Sequence, residues 1–255
     1  MPDPLFDPWC ADEATSDKGN SLHFLEEKVD AQAKAVKILQ ELVPKHYWDP
    51  DVVQKWLHKW GYSKALNVVK KDLPEGKISR SGDIGEILAT EYVNRKLGFE
   101  VPIFRLRWRD HRELALRGDD LFAVRLDDQG RVHFLKGEAK SRQSLSLGVL
   151  NEAKDALQTH DGRPGPHTIN YVVKRLSELG RDDLYEALED YLTRRTIPRQ
   201  RVTHLLFALC GNDPKPHLAS YFSSYAGTIQ HILVGFRVKN HGAFVKTVFD
   251  GVKLA

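Results

Sequence analysis

Cysteine and long apolar runs are both scarce in this chain of 255 residues. Its two cysteines, Cys10 and Cys210, exclude a disulfide framework and a cysteine-rich zinc site. The apolar run HLLFALC is far shorter than the ~20 residues that a membrane-spanning helix needs. The N-terminal residues MPDPLFDPWC are acidic and broken by proline, unlike a secretory signal. We therefore expect a cytoplasmic protein that does not contact a membrane.

The chain also carries little net charge. The 38 Lys and Arg residues and the 35 Asp and Glu residues give +3. This total does not indicate a nucleic-acid partner, because phosphate binding depends on how cations cluster. The hydrophobic share of 41% and the charged share of 29% are typical of a globular protein and exclude wholesale disorder. The Gly-X-X-X-X-Gly-Lys-Ser/Thr motif of P-loop ATPases is absent, so any use of ATP would belong to a partner.

Residues 1–76 are predicted to be mostly helical, and we assign this portion to docking of a partner. Apolar residues at helical spacing predict one helix from Leu22 to Pro44, a second over 49–60 and a third over 63–73. The break Pro74-Glu75-Gly76 ends this portion. Residues 77–255 are predicted to form the second domain.

The second domain alternates between helical and strand patterns, which predicts an α/β fold with a mixed central sheet flanked by helices. A helix capped by Ser81 should run to Gly98. Strands are predicted in FRLRWR (104–109), LFAVRL (121–126) and RVHFLKGEAK (131–140), the last two joined in a hairpin by Asp-Asp-Gln-Gly. A helix near 147–160 follows, then the loop DGRPGPHT and two amphipathic helices, one over 169–176 and one over 184–191. Strands in VTHLLFALC and HILVGFRV and one more near the C-terminus complete the prediction.

Two carboxylates and a lysine meet on the predicted hairpin. If Gly130 takes the left-handed position of the turn, paired residue numbers sum to 258, which places Asp120 opposite Glu138. Opposed side chains lie ~5 Å apart at Cβ, and Lys140 points to the same face as Glu138. Two such acids repel unless a cation lies between them, and Mg²⁺ or Mn²⁺ suits that position. A register slip would favour Asp119, and a surface hairpin with a cross-strand ion pair is the structural alternative.

A third acid falls on the apolar side of the helix predicted over 82–97. Glu86 lies in the sector of Ala89, Val93 and Leu97, where an unpaired carboxylate is costly to bury. It therefore requires a partner, and a metal, a metal-bound water or an arginine would each serve. Glu91, on the neighbouring apolar face, is a second candidate.

The order of a helix acid, Gly-X-Asp, a hairpin and Glu-Ala-Lys resembles the PD-(D/E)XK nuclease superfamily, which has a restriction-endonuclease-like core. The resemblance implies that Asp120 and Glu138 bind Mg²⁺ (or Mn²⁺), with the Ala139 backbone carbonyl as a further ligand. It implies that Lys140 is the catalytic lysine and that Glu86 holds a metal directly or through water. The activity implied is that of a metal-dependent deoxyribonuclease. Gly-Asp-Asp stands where the superfamily has Pro-Asp, which leaves open which of the two aspartates is the ligand.

A closer resemblance is carried by RSGDIGEILATEYV, RGDDL and GEAKSR. These segments and their spacing are similar to the HamA family, the nuclease subunits of the prokaryotic Hachiman anti-phage defence system. The similarity covers most of the chain from about Lys77 onward. It implies a superfamily-2 helicase partner (HamB-like) that restrains the nuclease and releases it when aberrant DNA is sensed. Composition and spacing by themselves give no indication of the helicase.

Clustered arginines are candidates for contact with DNA. On FRLRWR, Arg105, Arg107 and Arg109 would line one strand face, and a solvated sheet face is the alternative. Arg142 follows the Glu-Ala-Lys motif, and the arginine-rich link over 194–201 forms a second cationic patch.

Two other functions stay open. One is a non-catalytic subunit that binds nucleic acid or a partner on the same fold, and the other is a phosphoesterase that acts on nucleotides or RNA.

Overall fold

The computed structural model describes residues 3–109, 111–113, 118–193 and 195–254. The helices and strands in chain order are α1 (Phe6–Trp9), β1 (Cys10–Asp17), β2 (Asn20–Glu27), α2 (Gln32–Tyr47), α3 (Pro50–Trp60), α4 (Tyr62–Asp72), α5 (Lys77–Lys96), β3 (Leu121–Leu126), β4 (Val132–Arg142), α6 (Leu147–Gln158), α7 (Pro166–Glu178), α8 (Asp182–Glu189), β5 (Val202–Cys210), α9 (Lys215–Ser224), β6 (Gln230–Arg237) and α10 (His241–Asp250). None of these helices, as far as they are described, is long and apolar enough to cross a membrane.

In the described part of the chain, a six-stranded mixed sheet forms the centre of the fold, in the order β1-β2-β6-β5-β4-β3. The four inner strands β2, β6, β5 and β4 are parallel, and β1 and β3 pair antiparallel at the two edges. All nine residues of β5 are buried, as expected of a central parallel strand covered on both faces. The predicted mixed sheet with flanking helices is therefore confirmed.

Helices cover both faces of the sheet. α1, α2, α5 and α10 pack on the face that carries Leu205, Phe207 and Phe236, and α6 to α9 pack on the other. α5 approaches β4 closely, because a Cβ added at Gly85 would lie 2.9 Å from the Cβ of Ser141. Glycine at this position therefore brings α5 against the strand that carries the Glu-Ala-Lys motif.

The β3–β4 hairpin has the predicted register. Leu121 pairs with Gly137, and the Asp127 amide donates to the Arg131 carbonyl at 3.0 Å. Gly130 has a φ of 69°, the left-handed conformation that the turn requires. The numbers of paired residues thus sum to 258, as predicted. In this register, the residues just before Leu121 lie beside the residues just after Gly137.

The N-terminal portion contains a hairpin that the sequence pattern did not predict. β1 and β2 replace the predicted loose lead-in and the start of the first helix, and β2 pairs with β6 in the central sheet. Leu22 and Leu25 suggested a helix, but they are buried in different clusters on opposite faces of the sheet. A strand buried on both faces lacks the alternation that would identify it. The division of the chain at residue 76 stays a prediction.

The other N-terminal helices are close to expectation. α3 and α4 confirm the helices predicted over 49–60 and 63–73. α2 continues past Pro44 to Tyr47, which was not predicted, and His46 and Tyr47 in this last turn are buried. A proline removes only one backbone donor, and burial of the following turn offsets that loss.

Three further segments correct the prediction. α5 begins at Lys77, one turn before the predicted cap at Ser81. FRLRWR is not a strand, because Arg105–Trp108 forms a 3₁₀ helix. α10 occupies the position where a C-terminal strand was predicted, with Phe244, Val248 and Phe249 among its buried residues. Apolar and basic residues alternate in FRLRWR, but no neighbouring strand pairs with the described part of this segment, so the alternation does not produce sheet.

Two histidines on the inner strands are buried as a pair. His204 on β5 pairs in register with His231 on β6, their ring centroids are 5.6 Å apart, and His231 is 1% exposed. The His204 Nε2 lies 2.7 Å from the Gly162 carbonyl oxygen. Burial, and next the neighbouring His204, lower the pKa of His231 to about 3. His231 is thus neutral in the folded protein at physiological pH.

The free energy of unfolding should fall as the pH drops below 6.5. Unfolded His231 takes up a proton near its ordinary pKa, whereas folded His231 does not, so acid favours the unfolded chain. The expected loss from this group is about 2 kcal/mol between pH 7 and pH 5. Urea unfolding of His231→Leu should show a smaller loss over this range. A His58→Leu control at an exposed position should behave like wild type, and equal pH dependence in all three proteins would contradict the assignment.

Candidate active site

The site lies where β4 extends beyond its edge partner. β3 begins at Leu121 opposite Gly137, so β3 does not reach the last five residues of β4, from 138 to 142. The Asp120 carboxylate accepts a hydrogen bond from the Ala139 amide at 3.3 Å. A side chain from the loop before β3 thus bonds to the exposed edge of β4. This arrangement leaves Glu138 and Lys140 beside Asp120 at the edge of the sheet.

Asp120 and Glu138 form a pair of adjacent carboxyl groups. The pKa of Glu138 is raised to about 7, mainly by burial and next by the charge of Asp120 and a hydrogen bond with it, while Lys140 opposes the shift. The Lys140 Nζ lies 2.7 Å from the Glu138 Oε1. The side chains of Glu138 and Lys140 are only 11% and 17% exposed. The hairpin register therefore brings together the two acids and the lysine that the sequence predicted.

Glu86 on α5 lines the same cavity as the acid pair. The pKa of Glu86 is raised to about 8, mainly by burial; Arg105 opposes the rise, and the charges of Asp120 and Asp83 contribute to it. Glu91 lies elsewhere: it accepts from His46 at 2.8 Å and from Arg95 at 2.6 Å. Glu86, rather than Glu91, is therefore the helix acid that shares the environment of the pair.

The donor set fits a hard divalent cation. Asp120 and Glu138 present carboxylate oxygens side by side, and a cation between them would relieve the repulsion that raises the pKa of Glu138. Among the described residues, no group of three or more His, Cys, Asp or Glu side chains is arranged to hold a metal. Mg²⁺ is commonly held by one or two carboxylates and several waters, so two carboxylates suffice. The roles of the Ala139 carbonyl and of Glu86 as ligands stay predictions.

Asp119 points away from the acid pair and has a structural environment. Its carboxylate lies 3.4 Å from the Nζ of Lys136, and the two side chains are 7% and 2% exposed. The same carboxylate accepts from the Gly165 amide at 2.9 Å. Lys136 also donates to the Thr159 carbonyl and hydroxyl, at 2.9 and 2.8 Å. Asp119 and Lys136 thus anchor the 159–165 loop, whereas Asp120 faces Glu138.

The predicted row of three arginines is wrong, because the 3₁₀ helix directs them to different partners. Arg105 lies 3.9 Å from the Asp120 carboxylate. Arg107 donates to the Lys45 carbonyl at 2.8 Å. Arg109 makes two hydrogen bonds to the buried Asp83, at 2.7 and 2.8 Å. Arg105 is therefore the member of the three that contacts the acid pair, and contact of any of them with DNA stays a prediction.

Two other cationic candidates lie outside the cavity wall. Arg142 is exposed and donates to the adjacent Ser141 carbonyl at 2.9 Å. In the arginine-rich link, Arg195 pairs with Asp190 at 3.2 Å, and Arg194 lies outside the described residues. Whether these side chains contact DNA stays a prediction.

A cavity of about 870 Å³ opens beside the acid pair. Its wall includes residues that the sequence did not single out, because they lie on α7, in the 159–165 loop and in the 3₁₀ helix and share no local motif with the acids. They are Trp108, His160, His167, Thr168, Tyr171 and Arg175. Of the segments that form this wall, the sequence pattern predicts the loop DGRPGPHT, from its glycines and prolines.

The 159–165 loop has an unusual backbone. His160, Asp161 and Gly162 have φ values of 55°, 61° and 77°, and two consecutive non-glycine residues with positive φ are uncommon. The buried Asp119 and Lys136 hold this loop from beneath. The loop carries His160 and Gly165 into the cavity wall, which Asp119 also lines, so the anchor shapes the site by holding this loop in place.

Comparison with known proteins relates the chain to one family. A protein-family model described as HamA matches residues 3–252. The chain belongs to the HamA family. A curated relative, the "Hachiman protein HamA" of Bacillus cereus, is 23% identical over 221 residues, which cover 87% of this chain and 73% of that protein. The HamA match includes the β1–β2 hairpin and α2 to α4, so these N-terminal elements belong to the family pattern.

The two neighbouring aspartates should differ sharply in stability when each is changed to asparagine. Asp119→Asn leaves the buried Lys136 without its charge partner, which costs about 3 kcal/mol or more. Asp120→Asn removes one of two repelling carboxylates, so the free energy of unfolding should change by less than about 1 kcal/mol or should rise. Urea unfolding in EDTA measures both values. A larger loss for Asp120→Asn than for Asp119→Asn would reverse the assignment.

Proposed function

We propose that this HamA-family protein is a metal-dependent deoxyribonuclease that acts as an anti-phage defence effector and hydrolyses DNA phosphodiesters. The observation that carries the proposal is the Asp120–Glu138 pair, with Lys140 2.7 Å from Glu138, at an open strand edge beside a cavity. A defence role is supported by the family and by the Hachiman relative. The PD-(D/E)XK assignment of the core is part of the same proposal.

Each residue of the site has a distinct task in this proposal. Asp120 and Glu138 hold Mg²⁺ or Mn²⁺, which when bound would polarise the phosphodiester and lower the pKa of a water. Lys140, oriented by Glu138, offsets charge on the phosphate. Glu86 has a raised pKa of about 8, so its carboxyl group can hold a proton near neutral pH. Arg105, beside Asp120, offers a second positive charge to the substrate.

A second candidate function is a non-catalytic subunit that binds DNA or a partner on the same fold. It is favoured by the ion pair between Lys140 and Glu138, because a lysine so engaged is not directed at substrate. It also agrees with the cavity wall, in which Lys140 does not take part. This candidate requires binding that survives loss of Asp120, Glu138 and Lys140, with no cleavage in the presence of metal.

We also propose a helicase partner that restrains the nuclease until aberrant DNA is sensed. Membership of a family whose curated relative is a Hachiman protein supports assembly with other components. The absence of a P-loop motif from the sequence means that ATP use would lie in the partner. The α3–α4 hairpin, with Trp60 and Tyr62 40% and 48% exposed, is the surface that we assign to docking.

Removing the acid and lysine together should abolish cleavage. The variant E138Q with K140A should degrade plasmid DNA at least about 100-fold more slowly than wild type in Mg²⁺ or Mn²⁺, because metal binding and charge stabilisation are both lost. The measurement is loss of supercoiled plasmid on gels, with EDTA as a blank. A matched control is E13Q with K215A, which removes an exposed Glu–Lys pair of similar length (2.6 Å) on the distant β1 edge. Equal cleavage by both double variants would refute the site.

Co-expression should separate restraint from simple toxicity. The protein expressed without the proposed superfamily-2 helicase partner should reduce colony formation, and co-expression with a helicase encoded beside its gene should restore it. The variant E138Q with K140A should be harmless in both settings, because its toxicity requires cleavage. Colony counts measure the outcome, and toxicity that is equal with and without the helicase would contradict restraint.

A further inference from the structure

An aromatic and cationic wall lines the cavity beside the acid pair. It is formed by Trp108, at the end of the 3₁₀ helix, and by Tyr171 and Arg175, one turn apart on α7. The Arg175 guanidinium carbon lies 3.9 Å from the Trp108 ring centroid and 5.5 Å from that of Tyr171. Arg105 lines the same cavity and lies 3.9 Å from Asp120, so the wall continues up to the acids.

Polar atoms in this wall have hydrogen-bonding capacity to spare. The Tyr171 hydroxyl and the Arg175 Nε are buried, and neither atom has a hydrogen-bond partner of suitable geometry among the described residues, although the Arg175 side chain lies within hydrogen-bonding reach of the Tyr171 hydroxyl. A separate atom of Arg175, Nη1, contacts Glu178. Burying unsatisfied donors costs free energy, so their presence at a cavity wall points to a ligand that supplies acceptor oxygens.

The donors match a phosphate better than a neutral ligand. The charges of Arg175 and Arg105 both act on the Tyr171 hydroxyl, and all three side chains line the same cavity. Guanidinium groups bind phosphate oxygens through directed, charge-assisted hydrogen bonds. The indole of Trp108, stacked on Arg175, limits the rotation of the guanidinium and so prepares it for an anion.

We propose that Arg105, Tyr171 and Arg175 bind the backbone phosphate next to the scissile bond of a DNA strand. The subsite positions the strand so that the scissile phosphate lies at Asp120 and Glu138, and the three residues bind substrate without taking part in bond cleavage. This inference deepens the proposed nuclease function and rests on it. The competing explanation is that Arg175 merely braces Trp108, in which case its removal would change stability but not DNA affinity.

The test is binding of a fluorescein-labelled single-stranded octadeoxynucleotide to the full-length protein in EDTA, measured by fluorescence anisotropy at several salt concentrations. Arg175→Met should weaken binding about 10-fold, the loss expected for a charged hydrogen bond to phosphate. The salt dependence should fall by about 0.7 in the slope of log K against log salt, the loss of one phosphate contact on a single strand. Tyr171→Phe, which keeps the ring, should weaken binding by a smaller factor.

The matched control is Arg181→Met. Arg181 follows α7, pairs with Glu100 and Asp183, and is not part of the cavity wall, so binding should stay within about twofold of wild type. Equal losses for Arg175→Met and Arg181→Met would overturn the subsite, as would no loss for Arg175→Met and Tyr171→Phe. If Arg175→Met does not fold, as judged by urea unfolding, the result for Tyr171→Phe decides.

Cleavage assays distinguish this inference from the proposed function. With Mg²⁺, Arg175→Met should raise KM about 10-fold and leave kcat within about threefold, because the lost contact contributes equally to ground-state and transition-state binding. A protein that binds the oligonucleotide through Arg175 but does not cleave it would retain the subsite and disprove the nuclease. A protein that cleaves with an unchanged KM after Arg175→Met would retain the nuclease and disprove the subsite.

Discussion

Repulsion between two adjacent carboxylates organises the candidate site. Asp120 and Glu138 hydrogen-bond to each other at a partly buried strand edge, where burial and like charge both disfavour ionisation of Glu138. A pair of this kind is stable if it shares a proton or if positive charge is supplied, and Lys140 and Arg105 supply such charge. A divalent cation would satisfy the pair more fully than either side chain. The same requirement explains why cationic side chains lie in a cavity that already contains several acids. Acids and bases that pair in this way cancel in the total charge, so the net charge of +3 gives little indication of nucleic-acid chemistry.

A buried ion pair between Asp119 and Lys136 supports the loop that forms part of the cavity wall. Asp119 and Lys136 are almost inaccessible, and together they anchor the 159–165 loop. Adjacent aspartates therefore serve different ends because successive residues near a strand point to opposite sides. One faces Glu138 and the cavity, and the other supports the loop that forms part of its wall. The assignment of roles follows from orientation, since the two side chains are chemically identical.

The N-terminal portion is joined to the core more closely than its helices suggest. The β1–β2 hairpin extends the central sheet beside β6, and α2 packs on the same face as α5 and α10. His46, near the end of α2, contacts both Glu91 on α5 and the ring of Phe104. Displacement of α2 would therefore be transmitted to the helix that carries Glu86. In contrast, α3 and α4 pack mainly on each other around a small cluster, which leaves their outer surfaces available to a partner.

Local sequence determined the hairpin register, the identity of the two acids and the lysine, and the helices whose apolar residues repeat every three or four positions. These features depend on turn chemistry and side-chain periodicity, which act over a few residues. Local sequence could not reveal β2, because a strand covered on both faces lacks alternation, nor could it show that Arg105, Arg107 and Arg109 diverge. It also gave no indication of Trp108, Tyr171 and Arg175 as one wall, since these residues converge from different elements. Tertiary structure decided those points, because the packing of helices on a sheet sets which distant residues share a cavity and which charges must be paired when they are buried.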